Sequence, residues 1–348
     1  MIEGISFTHS MRRWLRHGAI EPSAFRALRE QGLGVIDVGA RGGAHPVFNI
    51  VNLMVELVGF EPDPEEAKRL QMSGQGNRRF KSLTYLPCAL GSMDGQQTFH
   101  VCRSSGVSSL YQPNSGFLER FPDARRFQVE STAPIAVRSL DSLRRDRSVK
   151  LPQHIDFIKI DTQGSELDIL KGAQATLRGE VMAVEVEVEF APLYNAQPLF
   201  RDVDAFLSDC GFTLFKLRRQ EWIRRAYAES PHLTAGQLVF GDALYFKDPF
   251  GGPPSRTPID AHRLEALILL AILYDLYDFA WELVSAPQWS NLLDVEAIRR
   301  GIAYRSRRLS SFIEALRVAR ATLGSRGRFK RYASAWARGD DNFYSSLY

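Results

Sequence analysis

The chain has 348 residues, 45% of them hydrophobic and 24% charged, with a formal net charge of +4. That length holds one large domain with an appendage, or two ordinary domains, around a packed globular core. No run approaches the roughly 18–20 consecutive apolar residues that span a bilayer, and no low-complexity tract or internal repeat is present.

The N-terminal MIEGISFTHSMRRWLRHG has basic residues but no apolar stretch behind them, so it does not read as a secretory signal. Residues 10–31 read as a short helical lead-in with an apolar face of Trp14, Leu15, Phe25 and Leu28, stopped by Gly32 and Gly34. Strand and helix signals then alternate. GVIDV (34–38) and VELVGF (55–60) are β-branched apolar runs, and the stretch between them, 46–53, has helical length. PDPEEAKRLQM (62–72) opens with Pro and acids, which suits a helix start. LTYLPCAL (83–90) predicts a third strand and DFIKI (156–160) a fourth, followed by one helix from Ser165 to about Leu177. VMAVEVEVEF (181–190) is a fifth strand, FRDVDAFLSDC (200–210) a helix, FTLFKL (212–217) a sixth strand, and QLVFGDALYF (237–246) closes the series.

This alternation implies parallel βαβ units and a doubly wound α/β sheet. Residues 96–111 and 127–137 interrupt it and read as an inserted hairpin near the substrate mouth. KDPFGGPPSRTP (247–258) is the clearest linker. The expected division is a helical lead-in over 1–33, a cofactor-binding domain over 34–248 and a helical region over 259–348. Within the last, LEALILLAILYDLYDFAWELV (264–284) predicts a buried helix of a bundle or of a dimer contact. Cys88, Cys102 and Cys210 show no metal-ligand spacing and read as buried thiols of a reducing compartment, so a cytoplasmic location is expected.

Ligands of open α/β sheets bind beyond the carboxyl ends of the strands. The first strand here ends in Asp37-Val38-Gly39-Ala40-Arg41-Gly42-Gly43. The glycines permit a tight turn and close backbone approach, but the spacing is not that of a dinucleotide fingerprint. A carboxylate at Asp37 repels a pyrophosphate and suits a cationic amino-acid group. The second strand ends in Phe60-Glu61-Pro62-Asp63, and an acid there can accept both hydroxyls of a ribose.

At this point the chain resembles the FkbM-type family of S-adenosylmethionine-dependent methyltransferases. The matching segments are VIDVGARGG (35–43), VGFEPDP (58–64), LPCALG (86–91), SSL (108–110), RSLDSL (138–143), IDFIKIDTQGSELDILKGA (155–173) and AVEVEVEF (183–190). The block at 155–173 is the most specific. The resemblance implies a Rossmann-like class I domain with a mostly parallel seven-stranded sheet, helices on both faces and an antiparallel last strand. It implies S-adenosyl-L-methionine as cofactor, held by Asp37, Gly39, Ala40, Arg41, Gly43, Glu61, Pro62, Ala89 and Leu90. It also implies O-methylation of a sugar, glycolipid, polysaccharide or secondary metabolite. Two positions depart from the family pattern, which commonly has Asn at Arg41 and Glu at Gln163. Arg41 could contact the cofactor carboxylate or an anionic substrate instead.

Methyl transfer from a sulfonium to a hydroxyl needs alignment and removal of a proton. Asp161, at the end of the fourth strand, is the candidate base or orienting residue; equally, it could be the residue that caps 162–165, where Thr162 and Ser165 compete. Glu185, Glu187 and Glu189 alternate along strand five and share a face, which is costly unless they leave the core or meet cations. Glu187 is the second catalytic candidate. Ser108, Ser109, Gln163 and Glu189 are candidate substrate contacts. No metal is assigned, although Asp161 with Glu187 or Glu189 would supply carboxylates of the kind that hold a divalent ion in catechol-type methyltransferases. His45 and His100 read as surface residues.

Residues 299–338 hold twelve Lys/Arg and one acid, Glu314. They read as a solvated helix face, or as a docking segment for an anionic membrane surface at the inner face of the membrane or for an anionic glycan or lipid carrier; no nucleic acid is expected. The acceptor is a small molecule or glycan, and the C-terminal helices offer a homo-oligomer contact. Two rival readings stand beside the enzyme: a non-catalytic methyltransferase-fold subunit that assembles through its basic tail, and a nicotinamide dehydrogenase.

Overall fold

Short β-branched runs flanked by glycine and acids become the strands of a single large sheet. The computed structural model describes residues 20–75, 80–227, 235–251 and 258–304. In chain order the strands are β1 (Leu33–Val38), β2 (Val55–Phe60), β3 (Ser82–Leu86), β4 (Ala89–Leu90), β5 (Gly95–Cys102), β6 (Val129–Arg138), β7 (Phe157–Ile160), β8 (Ala183–Glu189), β9 (Thr213–Trp222) and β10 (Gln237–Phe246). The seven-stranded sheet has the order β3-β2-β1-β7-β8-β10-β9. Its pairs are parallel except those of β10, which is antiparallel to both β8 and β9. The order reverses between β1 and β7, and that switch point opens the cleft at the carboxyl ends of both strands.

β1 is buried along its whole length, as a central strand of a parallel sheet must be. Ile36, Val58, Ile158, Val184, Val186, Leu170, Leu177 and Leu207 form the core between the strands and their connecting helices. Each such fully buried side chain contributes about 1.5–3 kcal/mol.

The inserted hairpin expected over 96–111 and 127–137 is present as β5 and β6, which pair antiparallel from Gly95↔Val137 to Cys102↔Val129. Three readings change. The single strand expected over 83–90 is divided: β3 belongs to the large sheet, while β4 pairs with β6 in a separate three-stranded sheet. Pro87 cannot donate to a ladder, and Cys88 N donates back to Leu86 O at 2.9 Å, so the chain turns between them. The helix expected over 165–177 breaks at Ala173 into Glu166–Gly172 and Gln174–Gly179. Gly172 sits where a Cβ would lie 1.9 Å from Gly91 O, and Asp141 caps the second piece by accepting from Ala175 N, Thr176 N and the Thr176 hydroxyl. The stretch expected to be helical over 46–53 forms 3₁₀ turns at Pro46–Ile50 and Asn52–Met54.

The chain divides into two units, residues 32–45 with 53–258, and residues 1–31, 46–52 and 259–348. In the second unit, Pro22–Ala24 is a 3₁₀ turn and Arg26–Gln31 an α-helix, and residues 1–19 of the lead-in lie outside the described residues. The single helix expected over 264–284 is two, Ala261–Leu273 and Tyr277–Ser285. Asp275 adopts φ +64°, Leu276 N donates to Ala271 O at 2.8 Å and Asp275 N to Ile272 O at 3.2 Å, a Schellman stop. The helix Ala261–Leu273 is buried from Leu264 onward, and buried Glu265 accepts from Leu28 N at 3.0 Å. No helix among the described residues is long and apolar enough to cross a membrane. The linker residues 252–257 and the basic segment from 305 onward lie outside the described residues.

Candidate functional site

The loop after β1 is held by the strands beside it. Gly39 N and Ala40 N both donate to Phe60 O at the end of β2, at 3.0 and 3.1 Å, and Gly43 N closes a turn on Ala40 O at 2.9 Å. Gly39 has φ +77°, and a Cβ there would lie 2.0 Å from Asp161 O. Only glycine fits, and the first loop therefore packs backbone to backbone against the loop after β7. Ala40 is buried against Leu70 and Tyr85. Burial pushes the Tyr85 hydroxyl up to about 12, with the Asp37 charge adding to it.

Asp37 is 2% exposed, and its Oδ1 accepts no hydrogen bond among the described residues. Burial pushes its carboxyl up to about 6, opposed by Lys159. Lys159 stands opposite Asp37 in the β1–β7 register and opposite Glu185 in β7–β8. Its Nζ is 4.0 Å from Asp37 Oδ1 and 3.4 Å from Asp161 Oδ2. Burial works against this ammonium, but Asp161, Asp37, Glu185 and Asp242 outweigh it and raise its pKa. This cation is part of the answer to how three glutamates of one strand face are tolerated. Asp242, opposite Glu187 in the register, adds a like charge, and Arg218 offsets it by donating from Nε to its carboxylate at 2.8 Å.

At the end of β2, Glu61 is buried; its Oε1 accepts Asp63 N at 3.0 Å and its Oε2 lies 3.9 Å from Arg41 Nε. Burial raises its pKa, opposed by the Asp63 hydrogen bond and Arg41. Arg41 also donates to Asp63 Oδ2 at 3.1 Å, so its guanidinium leans toward the β2 end of the loop. Asp63 in turn caps the helix Pro64–Gln75 by accepting from Glu65 N and Glu66 N. Pro62 is half-buried between them, and Ala89 and Leu90 lie buried in β4.

The loop after β7 is organised by Glu166. Its carboxylate accepts from Thr162 N at 2.9 Å, from Gly164 N at 2.9 Å and from the Thr162 hydroxyl at 3.1 Å. These bonds oppose the burial that pushes its pKa up to about 7. The capping of 162–165, weighed for Asp161 from the sequence, is thus made by Glu166. Asp161 is left with a side chain 39% exposed. Gln163 sits at φ +64° and its amide Nε2 donates to Glu187 Oε1 at 2.7 Å and to Asp161 Oδ1 at 3.3 Å. Its Oε1 accepts from the Tyr194 hydroxyl at 3.3 Å. Glu187 and Glu189 are buried, and burial, with Asp161 and Glu166 nearby, raises both far above the ordinary carboxylate range.

Ser109 is fully buried; its hydroxyl donates to Gln163 O at 2.6 Å and accepts from Tyr111 N at 2.9 Å. The Ser108 hydroxyl accepts from Cys102 N. The inserted hairpin therefore grips the loop carrying Gln163. Among the described residues no group of three or more His, Cys, Asp and Glu is arranged to hold a metal ion. Lys159, Glu166, Tyr85 and Tyr194 were not singled out in the sequence. For Lys159 a signal existed, since the strand IKI places a lysine where a buried strand should be apolar.

The strand order, the antiparallel β10 and the glycine loop between two acid-tipped strands define a Rossmann-like methyltransferase fold. A family model described as the methyltransferase FkbM domain matches residues 37–214. The chain belongs to the FkbM methyltransferase family, whose methyl donor is S-adenosylmethionine. Among solved structures, it is similar to a methyltransferase FkbM from Methylobacillus flagellatus, at 14% identity and a TM-score of 0.36, over 62% of this chain and 44% of that one. It thus spans less than half the length of that protein. It is also similar to magnesium protoporphyrin IX methyltransferase from Synechocystis with bound S-adenosylmethionine, at 10% identity and a TM-score of 0.30, over 62% of this chain and 71% of that one. No curated protein matches the sequence.

Two features of the loop fit the cofactor. Asp37 Oδ1 accepts no hydrogen bond among the described residues, with only the Lys159 ammonium 4.0 Å away, and Gly39 leaves bare backbone beside it. A pyrophosphate there would meet Asp37 as a like charge.

Proposed function

We propose that the protein transfers a methyl group from S-adenosylmethionine to a hydroxyl of a sugar, a glycan or a related metabolite, with Asp161 receiving the hydroxyl proton. The observation that carries this is the backbone contact of Gly39 with Asp161 O, which sets the half-exposed Asp161 carboxylate beside the cofactor loop. In this reading Asp37 meets the cationic amino-acid end of the cofactor, the backbone of Gly39, Ala40 and Gly43 lines its path, and Glu61 takes the ribose hydroxyls. When bound, the cofactor supplies an electrophilic methyl on sulfur.

Asp161 and Glu187 divide the work through their surroundings. Asp161 reaches solvent, and Lys159 Nζ lies 3.4 Å from its Oδ2, so its carboxylate stands open to an acceptor hydroxyl. Glu187 is enclosed, which raises its pKa, and it accepts from the Gln163 amide at 2.7 Å, so its role is to position that amide. Gln163 links the two carboxyls and keeps their spacing.

Asp161→Asn should keep its affinity for S-adenosylhomocysteine in calorimetry while kcat falls about 10²–10⁴-fold, the usual contribution of a positioned base. Turnover within threefold of wild type would remove Asp161 from the mechanism. The same titration addresses the non-catalytic reading, since a folded chain that does not bind S-adenosylhomocysteine below about millimolar is not a methyltransferase.

A further inference from the structure

Segments 117–128 and 222–227 carry five arginines, Arg120, Arg125, Arg126, Arg224 and Arg225, against two acids, Glu119 and Asp123. The fold joins them. Arg225 N donates to Arg120 O at 2.8 Å, and its guanidinium donates to Phe121 O at 2.9 Å. Beneath lies an aromatic layer in which Trp222 meets Phe121 at 5.3 Å and Phe127 at 6.2 Å between ring centroids.

Three guanidinia rest on that layer. Arg126 lies 4.9 Å from the Phe127 centroid and 5.3 Å from that of Trp222, Arg120 lies 5.6 Å from Phe117, and Arg224 lies 5.9 Å from Phe121. A guanidinium supported by a ring keeps its N–H donors for a planar, bidentate partner; Arg224 spends one of its donors on Gln237 Oε1 and keeps the rest. All five arginines are exposed, and among the described residues none forms an ion pair with Glu119, Asp123 or another carboxylate. Like charges on one face repel one another, and ring contacts support three of the five all the same. A single carboxylate would neutralise one of them. A pyrophosphate, with several charged oxygens, engages several guanidinia at once.

The platform stands at the same end of the sheet as the site. Trp222 ends β9 opposite Gln237 of β10, and Phe240 of β10 stands opposite Glu189. From the Gln163 amide the path runs through the Tyr194 hydroxyl at 3.3 Å, and the Tyr194 ring meets Phe127, under Arg126, at 6.0 Å. We propose that this arginine platform binds the pyrophosphate of a phosphate-linked sugar acceptor and anchors it while a hydroxyl of the same molecule reaches Asp161. The assignment of the acceptor rests on the methyltransferase reading above, but the anion binding does not.

Inorganic pyrophosphate and S-adenosylhomocysteine are titrated separately into the full chain and into R120Q/R126Q/R224Q, with thermal unfolding to compare their folding. Pyrophosphate should bind wild type at millimolar or tighter and the variant at least tenfold more weakly, with S-adenosylhomocysteine affinity unchanged. No pyrophosphate binding by wild type, or equal binding by a folded variant, overturns the platform. If the triple variant does not fold, Arg126→Lys serves: it keeps the charge but loses the fork, so affinity falls, and equal affinity overturns the proposal. Binding of pyrophosphate without S-adenosylhomocysteine would sink the methyltransferase reading and leave the platform standing. Uridine diphosphate and vesicles carrying a polyprenyl diphosphate then distinguish a soluble nucleotide-linked source from a lipid-linked one; either response lost in the variant supports the platform, and the absence of both overturns it.

Discussion

At the scale of single residues, the site turns on which carboxyls carry charge at neutral pH. Asp37, at about 6, is ionised at pH 8 and largely protonated at pH 5. A cationic ligand group favours the ionised form, so S-adenosylhomocysteine affinity should hold above pH 6 and fall up to tenfold per pH unit below it. Calorimetry at pH 5, 6, 7 and 8 reads this, and Asp37→Asn should bind weakly with a flat profile; a wild-type profile flat from pH 5 to 8 would show that Asp37 does not meet the cation. Asp37, Glu61 and Asp161 were legible in the sequence because each follows an apolar run, which marks a strand end. The lysine of the IKI strand was visible as an anomaly, but its role was not, because Asp37 and Glu185, which stand opposite it, come from neighbouring strands. Glu166 was hidden similarly, since its bonds form only when the backbone of 162–164 folds back over it.

At the scale of elements, the departures from the expected pattern are stops and caps. Asp141 alone accepts three bonds at the start of Gln174–Gly179. Asp141→Ala should cost about 1–2 kcal/mol, read as a lower urea midpoint with an unchanged m-value. Gly172→Ala meets the Gly91 carbonyl, a backbone atom, and should cost more than Asp141→Ala by the same measurement. Equal stability of the Gly172→Ala protein would mean the two backbones are not in contact. The sequence pattern placed both helices correctly as one apolar face; it did not show the break, because a helix period carries no trace of a cap supplied from another element. The Schellman stop at Asp275 escaped for a related reason. An apolar run across a turn looks like an apolar run along a helix, and Asp275 is a non-glycine residue in the left-handed region.

At the scale of the whole molecule, the buried acids set how stability follows pH. Glu187 and Glu189 have pKa values well above the ordinary range, and Glu166 is at about 7, all by burial. The folded chain therefore holds protons that the unfolded chain releases near pH 4.3. Wherever the native state binds more protons, stability falls as pH rises. The ligand-free protein should be more stable at pH 6 than at pH 8 in urea unfolding, and Glu187→Gln with Glu189→Gln should reduce that slope. A steeper stability at pH 8 would contradict it. Asp94 acts in the opposite sense at the acid end: bonds from Ser142, Ser139 and Arg138 hold it at about 2, so its contribution is present above pH 4 and is lost as pH falls through 2.

The amino-acid order was enough to place the seven strands, the inserted hairpin and the family, because periodicity and strand-end chemistry are local. Folding alone decided which strands are neighbours and thus that Lys159 stands between Asp37 and Asp161. It also decided that Asp161 reaches solvent while Glu187 is enclosed, and that Arg120, Arg126 and Arg224, from two distant segments, rest on one aromatic floor. Charge state and charge clustering depend on desolvation and on contacts across the chain, and neither is written in any single stretch of it.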